Sequence, residues 1–190
     1  PAPKVEPKPE PKPAPKVEPK PDPDPGAHDN LPVTQAHRFL GIAYSRSTGR
    51  MLWQRTLVEE LPHEGGHHTG SLASHSPVTD GKRVFAFLGS RGLYCLDLEG
   101  AVVWKKRLGK MATKHNHGEG ASPVLHGRTL VVNWDHQGQS KAVAFDAATG
   151  MKKWEVQRDE VTSWSSPIVV EYEGRTVVVI SGTKFLRGYD

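Results

Sequence analysis

Residues 142–158 read AVAFDAATGMKKWEVQR, and near-copies lie at 93–108, LYCLDLEGAVVWKKRL, and at 42–57, IAYSRSTGRMLWQRTL. In each copy a glycine stands four residues before a tryptophan: Gly49 and Trp53, Gly100 and Trp104, Gly150 and Trp154. The tryptophans are 51 and 50 residues apart. A period of that length, filled with strand-like segments, predicts one supersecondary unit used several times over.

Reading outward, three Ser-Pro pairs set the register of each unit: Ser76-Pro77, Ser122-Pro123 and Ser166-Pro167. Each is followed by an apolar run, a turn and a second run, as in PVLHGRTLVVNWDHQGQSKAVAFD. Short runs rich in valine and aromatics, bounded by glycine turns, read as strands. No window carries a 3.6-residue apolar period, so helix is expected to be scarce. The unit is then four antiparallel strands: A after the Ser-Pro pair, B the valine-rich run, C ending at an aspartate, D carrying the tryptophan. Asp97, Asp146 and Asp190 close strand C in three units, and Ser45 holds that place in the first. Such units predict an all-β fold, a partial β-propeller of four-stranded antiparallel blades with an incomplete ring. A β-sandwich also uses many short strands, but nothing in it calls for Gly-x-x-x-Trp at a fixed period. The expected pieces are a partial blade over 37–57, blades over 74–108 and 121–158, and the start of another over 165–190.

Residues 1–30 stand apart. Eleven of the 16 prolines fall in the first 25 residues, where the unit PAPKVEPKP occurs twice. Proline fixes φ and removes a donor, so this tract is expected to be an extended, disordered Pro/Lys-rich linker or insertion. Its five lysines face five acidic residues, a balance that argues against a polybasic arm. The whole chain carries a net charge of +4, with basic and acidic residues interspersed, so nucleic-acid binding is not expected. No apolar run approaches the length of a membrane-spanning helix. Cys95 is the only cysteine, which excludes an internal disulfide and a cysteine-rich zinc site. The chain begins with proline and stops within a repeat, and so reads as a piece of a longer protein.

The pattern Ala-x-Asp-x-x-Thr-Gly-x-x-x-Trp, complete at Ala144, Asp146, Thr149, Gly150 and Trp154, resembles the tryptophan-docking motif of the pyrroloquinoline quinone (PQQ)-type propeller repeats. The copy at 95–104 is one turn residue shorter, and the copy at 43–53 lacks the aspartate. That family includes quinone-dependent alcohol dehydrogenases and an outer-membrane-assembly propeller lipoprotein. The resemblance implies a structural role for Trp53, Trp104, Trp154, Gly49, Gly100, Gly150, Asp97 and Asp146, with each indole packed between neighbouring blades. It also implies an extracytoplasmic, periplasmic location and makes PQQ a possible cofactor. The adjacent cysteines common beside the quinone in the dehydrogenases are missing here, and their calcium-binding acidic residues have no counterpart on this chain. No cofactor is therefore assigned, and no catalytic residue.

Histidine marks the candidate site. Eight of the ten histidines fall between 63 and 136, seven of them in PHEGGHHTGSLASHSP, KHNHGEGASP and NWDHQGQ and the eighth at His126. The first two segments join strand D to the next strand A, and the third joins B to C. Propeller topology sends both connection types to one face. His67, His68, His75, His115, His117, Glu119, Trp134, Asp135 and His136 are thus expected to share a ligand face, with Trp164 from the following connection. Imidazole and carboxylate suit zinc or another divalent metal, yet the spacing lacks the helical His-Glu-x-x-His pattern, so the metal stays unknown. No Gly-x-Ser-x-Gly elbow supports a serine nucleophile. His126 reads as a turn residue on the opposite face, and Cys95 as a small buried strand residue. The expected function is a non-enzymatic binding or scaffold propeller that engages a protein, a glycan or a small molecule. A PQQ-dependent oxidoreductase completed by missing blades, or a metal-dependent hydrolase, are the alternatives.

Overall fold

The computed structural model describes residues 30–190, so the proline-lysine tract lies outside the described residues. The strands are β1 (Asn30–Leu31), β2 (His37–Tyr44), β3 (Met51–Glu60), β4 (Gly66–His67), β5 (Val78–Thr79), β6 (Arg83–Phe87), β7 (Leu93–Asp97) and β8 (Val102–Lys106). Then come β9 (Val124–His126), β10 (Thr129–Trp134), β11 (Ser140–Asp146), β12 (Lys152–Arg158), β13 (Ile168–Tyr172), β14 (Arg175–Ser181) and β15 (Leu186–Tyr189). They form antiparallel meanders in chain order: β2-β3, β5-β6-β7-β8, β9-β10-β11-β12 and β13-β14-β15. These are the sheets of four propeller blades, called here blades one to four. Among the described residues the only helix is two single 3-10 turns, at Gly89–Arg91 and Lys114–Asn116. No helix there is long and apolar enough to cross a membrane.

Successive side chains on a strand point to opposite faces, and in an inner blade each face meets a neighbour. On β7, Tyr94 and Leu96 pack with Phe39 of blade one, while Leu93 and Cys95 pack with Leu130, Val132 and Phe145 of blade three. On β10 and β11 the alternate residues Val131, Ala142 and Ala144 turn to Val178 and Ile180 of blade four. This explains strands that are apolar on both faces rather than alternating. Phe85, fully buried between blades two and three, contributes about 2–3 kcal/mol by leaving water.

The repeated Gly–Trp pair has a geometric cause. Trp53, Trp104 and Trp154 sit directly across the sheet from Ala43, Cys95 and Ala144. Each indole thus lies opposite a small side chain, and Cys95 is the alanine of its repeat. The strand register shifts just after each of these small residues, so an irregularity recurs at this point in blades one to three. The Trp53 indole N–H then donates to the Leu98 carbonyl at 2.7 Å, and the Trp104 N–H to the Ala147 carbonyl at 3.0 Å. Both acceptors lie in the next blade's C–D turn. A Cβ on Gly100 would come within 2.8 Å of Trp53, and one on Gly150 within 2.8 Å of Trp104. Both glycines also have φ in the left-handed region, at 84° and 67°. Glycine is required twice over, by the turn and by the indole lying on it.

The turns themselves are held by the strand-ending residue. Asp146 Oδ1 accepts from the Ala148 and Thr149 amides and the Thr149 hydroxyl. The slight burial of its carboxyl is outweighed by these bonds, which hold its pKa below the usual carboxylate range. Asp97 accepts from the Glu99 and Ala101 amides. Ser45 does the same work with its hydroxyl, accepting from the Thr48 amide at 3.3 Å. The Ser-Pro pairs are linked as well: the Ser76 amide donates to Ser122 Oγ, and the Ser122 amide to Ser166 Oγ. One hydroxyl per blade thereby ties the starts of successive A strands together.

Candidate functional site

The D–A and B–C connections form one end of the blades, and their predicted residues separate into an outer rim and a buried layer. At the rim, β1 pairs antiparallel with β4 through Asn30↔His67 and Leu31↔Gly66, a pairing without any signature in sequence. The His67 amide donates to the His117 carbonyl, which draws the first D–A connection against the second. The His67 ring lies 4.3 Å from that of His68 and 5.1 Å from that of His117. His117 lies 5.4 Å from His115 and 6.2 Å from the Trp164 indole. Trp164, 44% exposed, donates its N–H to the Gly118 carbonyl at 2.7 Å. Three successive D–A connections therefore meet in one patch of imidazoles and an indole. Beside it, Pro32, Val33, Gln35, Gly66, His67 and Leu72 line a half-open cavity of about 230 Å³.

His75, Glu119, Trp134, Asp135 and His136 lie beneath, all buried. Asp135 forms a two-pronged ion pair with Arg158, Nε to Oδ1 at 2.8 Å and Nη2 to Oδ2 at 2.9 Å, with both side chains fully enclosed. Arg158 also donates to the Tyr189 hydroxyl of blade four. Glu119 accepts from the Ser90 amide and hydroxyl and from Arg91. Burial pushes its carboxyl above the usual range, against the downward pull of Ser90 and Arg91. A Cβ on Gly89, at φ 57°, would fall 1.6 Å from Glu119 Oε2, so the carboxylate fills space that only glycine leaves. Glu160 repeats the device, accepting from the Lys184 and Phe185 amides where a Cβ on Gly182 would stand.

His136 is held as one tautomer. Its Nδ1 accepts from the Ala112 and Gly138 amides, so Nε2 carries the proton and donates to the Gln139 carbonyl at 3.2 Å. Burial lowers its pKa, outweighing the Gln139 carbonyl and the Asp135 carboxylate that favour the charged ring. His75 packs edge-on against Phe87 at 4.9 Å, and neither ring nitrogen has a hydrogen-bond partner. Burial first, then the Arg91 charge, lower its pKa to about 4. Trp134 belongs to the core between blades two and three. Cys95 is fully buried, and burial pushes its thiol up to about 11, which removes it as a nucleophile. His126 ends β9 at the opposite end of the blade, 3.9 Å from Glu171.

Sequence reasoning missed the partners. Arg91, Arg158 and Ser90 hold the buried carboxylates, yet nothing in the chain separates these from other basic and hydroxyl residues. It also passed over His63 and Glu64. One donor atom each from His63, Glu64 and Glu119 lie within 4.8 Å of one another. The adjacent His-Glu pair at the start of a D–A connection was the available signal.

Residues 40–190 match the sequence model of the family described as outer membrane protein assembly factor BamB. Among solved structures, BamB from Moraxella catarrhalis aligns with a TM-score of 0.50 at 19% identity, over 80% of this chain and 40% of its own. A europium-containing methanol dehydrogenase aligns with a TM-score of 0.47 at 14% identity, over 65% of this chain and 22% of its own. The quinohemoprotein alcohol dehydrogenase from Comamonas testosteroni aligns with a TM-score of 0.43 at 16% identity, over 62% of this chain and 18% of its own. The chain thus spans two fifths of the length of the BamB structure and less of the two dehydrogenases. No curated protein sequence matches it. Identities this low speak for the fold alone.

Proposed function

The chain belongs to the PQQ-type β-propeller repeat family described as outer membrane protein assembly factor BamB, and on that premise we propose that it is a non-enzymatic binding scaffold outside the cytoplasm. Its ligand is a protein segment seated on the histidine rim. The supporting observation is the patch of His67, His68, His117 and Trp164 beside a half-open cavity of about 230 Å³. Small-molecule pockets usually enclose about 300–1,000 Å³. A smaller cavity flanked by an exposed indole and imidazoles suits one anchoring side chain of a larger partner, because such groups combine apolar area with hydrogen bonding. Beneath the rim, His136, Glu119 and Asp135 are engaged by internal partners.

The test is site-specific photocrosslinking in the envelope of a bacterium expressing the full-length protein. A photoreactive residue at Trp164 is expected to give a discrete protein adduct, lost with His67→Ala and His117→Ala and absent when the probe stands at His126. Identical adducts from both positions, or none from 164, overturn the proposal. Alcohol oxidation by the purified protein on titration with pyrroloquinoline quinone would replace it with the oxidoreductase reading.

A further inference from the structure

We propose that His63, Glu64 and Glu119 form a binding site for a divalent transition-metal ion that clamps two D–A connections together. His63 and Glu64 belong to the connection entering blade two, and Glu119 to the connection leaving it. One nitrogen and two carboxylate oxygens from these residues lie within 4.8 Å of one another. A tetrahedral ion about 2.1 Å from each donor sets them about 3.4 Å apart. Binding therefore requires the three donors to draw closer together.

Each donor is already aimed by a second group, as metal ligands usually are. His63 Nε2 lies 2.6 Å from the Met111 carbonyl, which only accepts; Nε2 therefore carries the proton and Nδ1 keeps its lone pair. Glu64 Oε1 accepts from the Thr113 hydroxyl at 2.6 Å and the Thr113 amide at 3.0 Å. Glu119 is fixed by Ser90 and Arg91. An ionised carboxylate has about four lone-pair positions, so these bonds leave room for a metal. The Arg91 guanidinium, 3.2 Å from Glu119, opposes the dication, and the two carboxylates together must outweigh it. Burial grades from exposed His63 through half-buried Glu64 to buried Glu119. The site therefore has a closed inner side and an open outer one, where His63 and Ser90 border a cavity of about 360 Å³. One imidazole and two carboxylates favour zinc or manganese over calcium or magnesium.

The rim residues take no part, so this site stands or falls separately from partner binding. Equilibrium dialysis of the full chain against zinc, followed by elemental analysis, is expected to show one tightly held equivalent that raises the melting temperature and is removed by a chelator. His63→Ala and Glu64→Gln, at exposed and half-buried positions that leave the buried layer intact, are expected to lose that equivalent and the zinc-dependent melting shift. His67→Ala with His117→Ala is expected to retain both. No bound zinc in the parent protein, retention by the His63 and Glu64 variants, or loss in the His67/His117 variant would each overturn the proposal. Should the variants misfold, cobalt substitution of the parent protein decides: intense tetrahedral visible bands support the site, and a weak octahedral spectrum ends it.

Discussion

The rim and the layer beneath it come from the same loops and the same residue types, yet they do opposite work. In the layer, Asp135 pairs with Arg158 through both carboxylate oxygens, and Glu119 is wrapped by Ser90 and Arg91. At the rim, His68 and Trp164 remain exposed. The difference lies in depth and not in composition: a polar group a few ångströms further in must find a partner or cost stability, whereas one at the surface is free to meet a ligand. The layer holds the blades in place, and the rim is the surface proposed for recognition.

The largest expected effect follows from breaking the enclosed ion pair. Asp135→Ala strands the Arg158 charge and is expected to cost about 3–5 kcal/mol, read as a lower urea midpoint. A loss as small as that of a rim variant would erase the distinction between the two regions. His75→Leu comes next and acts in the other direction. A histidine whose folded pKa is depressed to about 4 binds fewer protons folded than unfolded between that value and about 6.5. Stability is therefore full above about pH 6.5 and falls as the pH drops toward 4. The variant is expected to remove this slope and to be more stable at pH 5 by about 2 kcal/mol, measured by urea titration at both pH values.

Glu160→Gln sharpens the contrast within the layer itself. Burial raises the Glu160 carboxyl, but the Lys184 amide and Arg187 outweigh it and hold the folded pKa below the ordinary value. The ionised group stabilises the fold above its unfolded pKa, and that contribution disappears as the pH falls through the folded pKa. The difference in denaturation midpoint between parent and variant should therefore be largest near neutral pH and close towards pH 3. A gap that widens on acidification contradicts this. The smallest change belongs to the rim: His67→Ala with His68→Ala is expected to shift stability by less than about 1 kcal/mol while abolishing the adduct formed by the photoreactive residue at 164. A folded variant that still crosslinks would place recognition elsewhere.

The strands and their order were legible because their signals are local. Valine-rich runs, Gly turns and the Gly–Trp period all lie within a few residues of one another, and each blade meanders in chain order. Although its place opposite Trp104 emerged only from the strand register, the burial of Cys95 as a small strand residue was legible too. The division of the histidines was not. His67 and His75 lie eight residues apart in one glycine-rich loop, and no periodicity says which turns inward. The β1–β4 pairing and the bond from Ser90 to Glu119 join residues 29 or more positions apart that carry no mutual signature.

By itself the sequence determined a β-propeller segment, since each blade is specified by contacts between neighbouring strands and by an indole that must lie on a glycine. It also placed most of the histidines in the D–A and B–C connections. Only the tertiary structure decided which of those histidines face solvent and which carboxylates are locked to arginine. That choice depends on depth and on partners supplied by other blades, and depth arises only when the sheets pack.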